Sequence, residues 1–88
     1  MADKDTFTFQ LLTRPGCHLC EKLLNDLVPW HDEYKLSIEL IDISNSEQLT
    51  AEYAGRIPVL RSENQIICEY FLDEDRLKNY LENHQNIN

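Results

Sequence analysis

Two thiols three residues apart, in Cys17-His18-Leu19-Cys20, are the feature of this sequence best suited to chemistry. They come after an alternating apolar stretch and the breaker Arg14-Pro15-Gly16, and they open a segment with helical periodicity. In a first helical turn, residues at i and i+3 share one side, so the two sulfurs come within disulfide reach without dismantling the helix. Cys17 at the tip meets unpaired backbone N–H groups and the positive end of the helix dipole, both of which stabilise a thiolate. This placement predicts Cys17 as the attacking sulfur. Cys20, one turn inside and beside Glu21, stays protonated longer and is placed to resolve a mixed disulfide. The predicted chemistry is thiol–disulfide exchange in two steps.

A pair of this spacing can also be half of a zinc site, with Cys68 and a histidine as the remaining candidates. No second Cys-x-x-Cys and no close Cys–His pair accompanies it, so no metal ligand is assigned. Cys68 reads as a small apolar filler of a buried strand position. His31 and His84 read as solvated.

Elements that position the thiols follow from the apolar pattern. Thr6-Phe7-Thr8-Phe9-Gln10-Leu11-Leu12 alternates, with Phe7, Phe9 and Leu11 on one face, and predicts a first strand. Cys20, Leu23, Leu24, Leu27 and Val28 then trace one buried helix face. Pro29 predicts a kink or break, with Trp30 and Tyr34 packing beyond it. Residues 36–43 predict a second strand, apolar on both faces near its end in the manner of a central parallel strand. Ser44 or Ser46 caps a short helix running to Tyr53, and Gly55 takes a left-handed terminating turn. Residues 57–61 and 66–70 predict a hairpin joined by residues 62–65. Asp73-Glu74-Asp75 starts a last helix carrying Leu77, Tyr80 and Leu81, followed by a polar, frayed tail.

The predicted order β-α-β-α-β-β-α is an α/β fold of one domain over residues 1–88, with its core at about 6–82. A right-handed crossover makes the first strands parallel and the hairpin adds an antiparallel edge, giving a four-stranded mixed sheet with helices on both faces. With 88 residues there is no room for a second domain.

Sixteen acidic residues against eight basic ones leave a formal charge of −8, and the basic residues are scattered. That disfavours nucleic acid and anionic membrane surfaces as partners. No apolar run approaches the roughly 20 residues needed to span a bilayer. The opening MADKDTFTF lacks the apolar core of a signal peptide. A cytoplasmic, monomeric protein is expected.

Thr13-Arg14-Pro15-Gly16-Cys17-His18-Leu19-Cys20 and Arg56-Ile57-Pro58-Val59 resemble the active-site and cis-proline motifs of the glutaredoxin-like branch of the thioredoxin superfamily. The likeness runs from Phe7 to about Leu81 and is similar to a compact group whose site reads Cys-His-Leu-Cys. It implies a thioredoxin/glutaredoxin-like fold and a dithiol oxidoreductase with Cys17 as nucleophile and Cys20 as resolving thiol. It implies, too, a substrate-binding set of Arg14, His18, Ile57 and Pro58, with Pro58 a cis proline and the Ile57 backbone pairing with an extended substrate. The implied partner is a disulfide-containing protein or a small thiol such as glutathione, with no bound cofactor. Where glutaredoxins usually hold glutathione with Gly-Gly and acidic residues, this chain carries Ile66-Ile67-Cys68-Glu69-Tyr70. The alternatives are a module binding a metal or iron–sulfur cluster through its thiols, or a redox-inactive interaction domain.

Overall fold

A computed structural model describes residues 6–63 and 65–85. Its elements are β1 (Thr6–Thr13), α1 (His18–Asp26), α2 (Val28–Glu33), β2 (Lys35–Asp42), a 3-10 turn (Ile43–Asn45), α3 (Glu47–Tyr53), β3 (Val59–Ser62), β4 (Gln65–Glu69) and α4 (Glu74–Gln85). The frayed tail expected after Glu82 begins later, since α4 continues to Gln85; residues 86–88, the Asn64 position of the turn and the His84 side chain lie outside the described residues.

The strands form one sheet in the order β2-β1-β3-β4. β1 runs parallel to β2 and antiparallel to β3, and β3 runs antiparallel to β4. This is the expected mixed sheet, with one correction: β2 lies at an edge, and β1 and β3 are central. The apolar end of β2 is therefore only partly covered, and Leu40 is 56% exposed. Its hydrophobic run reflects β-propensity and pairing with β1 rather than burial on both faces.

Each face of the sheet has its own apolar cluster. Phe9 and Leu11 of β1 pack with Leu23 and Leu27 of the first helical segments and with Leu77 and Leu81 of α4. On the other side, Leu12 and Val59 pack with Ile43, Tyr53, Ile57 and Cys20. Alternation along β1 thus sends successive residues to opposite layers. A register shift between Leu60 and Arg61 leaves Ile67 as an extra residue in β4, which puts Ile67 and Cys68 into the same cluster.

Pro29 interrupts the first helix in the predicted way. α1 stops at Asp26, Leu27 caps it, and α2 restarts with the proline in its first turn, where the missing N–H costs nothing. Trp30 and Tyr34 stack at 6.2 Å, and Tyr34 meets Phe7 edge-on at 6.1 Å. α3 is capped by Ser46, whose hydroxyl accepts from the Leu49 amide at 3.1 Å. Gly55 does not take the left-handed conformation expected of it; the glycine that does is Gly16, at φ 77. α3 ends instead on Ala54 in right-handed geometry, and the Arg56 amide returns to the Tyr53 carbonyl at 2.8 Å.

Asp73 starts α4 by accepting from the Arg76 amide at 3.1 Å. Among the described residues no helix is long and apolar enough to cross a membrane.

Candidate active site

Gly16 turns the chain out of β1 at a positive φ that a side chain would strain, and so delivers Cys17 to the tip of α1. Cys17 is the N-cap, in extended geometry, and its sulfur accepts from the Cys20 amide at 3.1 Å. A cysteine thus fills the place usually taken by serine, threonine or aspartate. Cys17 and Cys20 are joined as a disulfide with their Cα atoms 5.3 Å apart. The two sulfurs differ in access: Cys17 is partly exposed, whereas Cys20 is 3% exposed and packs in the second cluster.

A groove of about 330 Å³ opens beside Cys17. Arg14, His18 and Ile57 line it with Cys17, so four residues singled out by sequence meet in one place. Pro58 follows Ile57 through a cis peptide bond, but its side chain is fully buried and does not line the groove. Its carbonyl accepts from the Tyr70 amide at 2.8 Å, so Pro58 ties the segment after Ile57 to the end of β4. The backbone N–H and C=O of Ile57 have no hydrogen-bond partner among the described residues.

His18 is turned to solvent, its side chain 95% exposed, with Nδ1 4.0 Å from Glu21. Arg14 is exposed too, and no acidic side chain holds it among the described residues. Arg56, by contrast, is committed: Nε and Nη2 both donate to Glu69 Oε2, at 2.9 and 2.6 Å, and the guanidinium lies 5.0 Å above the Tyr53 ring. The hydrogen bonds that Arg56 donates to Glu69 raise the Arg56 pKa above its ordinary value, and the carboxylate balances the guanidinium charge.

Sequence reasoning missed Leu19, Ala54, Gly55 and Tyr70, which complete the groove. Tyr70 sits at φ 69, and the Phe71 amide bonds back to the Glu69 carbonyl at 2.7 Å, which turns the chain sharply there. The Tyr70 hydroxyl donates to the Gly55 carbonyl across the groove. The available signal was its place just past the last apolar residues of β4, where the strand must turn toward α4.

Cys68 is buried and free, and burial pushes its thiol above its ordinary pKa. Among the described residues no group of three or more His, Cys, Asp and Glu side chains is placed to hold a metal ion.

Residues 8–82 match the Glutaredoxin-like domain (DUF836) family. The chain belongs to that family. Its glutaredoxin-like domain is 31% identical to the glutaredoxin-like protein YDR286C homolog of Dictyostelium discoideum, covering 82% of this chain and 72% of that one. It is similar to the solution structure of protein Ne2328 from Nitrosomonas europaea, with TM-score 0.76 and 36% identity over 83% of this chain and 88% of that one. A mutant thioredoxin from Halobacterium salinarum aligns with TM-score 0.57 over 100% of this chain and 97% of that one; at 16% identity the likeness is of fold alone. A glutaredoxin-like domain with its cysteine pair at a helix tip fits a redox role.

Proposed function

We propose that this glutaredoxin-like domain is a dithiol thiol–disulfide oxidoreductase. The observation that carries the reading is the Cys17 sulfur at the N-terminus of α1, bonded to Cys20 and accepting its amide hydrogen at 3.1 Å. In the reduced protein that amide and the helix dipole favour a Cys17 thiolate. The thiolate attacks one sulfur of a substrate disulfide, and the substrate's other half leaves as a thiolate. Cys20 then gives up its proton and attacks the Cys17 sulfur, which releases the second half. Two electrons pass from the cysteine pair to the substrate, and the Cys17–Cys20 disulfide remains.

The substrate-binding roles are assigned by position. The free Ile57 backbone supports pairing with an extended segment laid in the groove. Pro58 acts indirectly, through its cis bond to Ile57 and its carbonyl's hold on Tyr70. Arg14 offers positive charge at the rim, and His18 contacts whatever enters from solvent.

The test is equilibration of the protein over graded ratios of reduced to oxidised dithiothreitol, with acid trapping and mapping of the thiols by mass. A reversible Cys17–Cys20 disulfide with Cys68 reduced is the expected result. Cys20→Ser should accumulate a mixed disulfide on Cys17 when offered a substrate disulfide, and Cys17→Ser should form none. Failure to form the internal disulfide at any ratio would remove the exchange reading.

A further inference from the structure

We infer that the groove beside Cys17 selects a disulfide carried on a polypeptide segment with apolar residues beside its cysteine, and discriminates against oxidised glutathione. The inference rests on the exchange reading and names its substrate class.

Three observations converge. The groove wall is mainly apolar: Leu19, Ala54, Ile57 and Tyr70 line it, and Leu19 and Tyr70 keep 38% and 41% of their surface exposed without a ligand. Tyr70 is held at two points, by its amide on the Pro58 carbonyl and its hydroxyl on the Gly55 carbonyl, so it forms a fixed part of the wall. A non-glycine residue at φ 69 is uncommon, and here it belongs to an aromatic residue lining the groove that also holds Cys17.

The second observation concerns charge. Each half of oxidised glutathione carries more carboxylates than ammonium groups and needs cationic anchors. Arg56 stands beside the groove residues Gly55 and Ile57, but Glu69 neutralises it. Arg14 is then the only arginine or lysine among the groove-lining residues. The net charge of −8 adds a field that repels anions and suits a neutral or basic segment.

Thirdly, the chain just past Tyr70 carries a further exposed aromatic residue. Phe71, 59% exposed, lines a separate depression with Ile66 and Leu72, and Glu69, Asp73, Glu74 and Asp75 outnumber Arg76 around it, so this surface is unsuited to an anionic tripeptide. The free Ile57 backbone gives an extended segment a main-chain partner beside the apolar wall of the groove.

The reaction is unchanged: the Cys17 thiolate takes one sulfur of the peptide disulfide, the other leaves as a thiolate, and Cys20 closes the internal disulfide. The experiment compares single turnovers of dithiothreitol-reduced, desalted protein with two probes. One is a terminally blocked peptide disulfide with phenylalanine beside each cysteine and no free carboxylate. The other is oxidised glutathione.

The wild type should reduce the peptide faster by about tenfold or more. Tyr70→Gly, which suits the positive φ and removes the wall, should shrink that ratio toward unity. Glu69→Ala should release Arg56 and speed the reaction with oxidised glutathione, a gain that added salt abolishes. Circular dichroism checks that both variants fold, and Tyr70→Phe, which keeps the ring, should retain most of the preference. Equal or faster reaction of the wild type with oxidised glutathione would overturn the substrate class and leave the exchange reading intact. A ratio unmoved by Tyr70→Gly in a folded variant would overturn it as well. If reduced wild type oxidises with neither probe, the exchange reading fails and this inference with it.

Discussion

The Cys17 sulfur accepts the Cys20 amide hydrogen across 3.1 Å, within the turn that the disulfide also closes. The atom that caps the helix is therefore also the proposed nucleophile. When the disulfide is reduced, a thiolate is the better acceptor for that amide, so the cap and the nucleophile favour one protonation state. A brief pulse of iodoacetamide on reduced protein should label Cys17 well before Cys20 and Cys68, both of which are buried. Peptide mass mapping reads the order, and equal labelling of Cys17 and Cys20 would contradict the assignment of roles.

Ser62 is a buried polar side chain at the end of β3, and its hydroxyl lies 2.7 Å from that of Tyr80 on α4. A lost hydrogen bond between neutral groups costs about 0.5–1.5 kcal/mol. Tyr80→Phe should lower unfolding stability by about that amount, since the buried Ser62 hydroxyl loses its close partner. Adding Ser62→Ala to Tyr80→Phe should cost less than the two single changes summed, because the pair acts together. Denaturant unfolding of the four proteins in this cycle measures it; strict additivity would show the contact to be energetically idle.

Burial raises the Cys68 thiol above its ordinary value of 9.0, chiefly because the charged form is desolvated. The unfolded chain therefore releases this proton at lower pH than the folded one. The sign follows: the contribution is fully present below the unfolded pKa and is lost as pH rises through the folded pKa. Wild-type stability should fall more steeply than that of Cys68→Ala above pH 9.0. Denaturant midpoints taken from neutral to alkaline pH on both proteins give the comparison, and parallel curves would show that Cys68 titrates alike in both states.

Much of the fold could be read from the chain because local signals there agree. Phe7, Phe9 and Leu11 alternate as they are buried, Pro29 breaks the helix where its missing N–H demands, and the thiols sit at a helix start. What escaped reading depends on partners distant in sequence. The run Ile66-Ile67-Cys68 contains a bulge that no periodicity reveals, since it is set by pairing with Leu60 and Arg61. Nothing local pairs Arg56 with Glu69, which the fold brings to it from thirteen residues away. Tyr70 carries no motif; only the turn at the end of β4 puts it over the groove.

Leu11 and Leu40 show how topology assigns different weights to identical residues. They are register partners across β1 and β2, yet Leu11 is 0% exposed and Leu40 56%. β1 has neighbours on both sides and helices over it, whereas β2 ends its sheet. Leu11→Ala should cost about 2–5 kcal/mol, combining lost transfer energy with a cavity that the packed layer cannot collapse. Leu40→Ala should stay within about 0.5 kcal/mol of wild type, as surface changes do. In a domain of this size each kcal/mol moves the melting temperature by roughly 4–8 °C, so the two variants separate in a simple thermal scan. A large loss for Leu40→Ala would mean that the edge of β2 is covered in solution, as pairing with another chain would do.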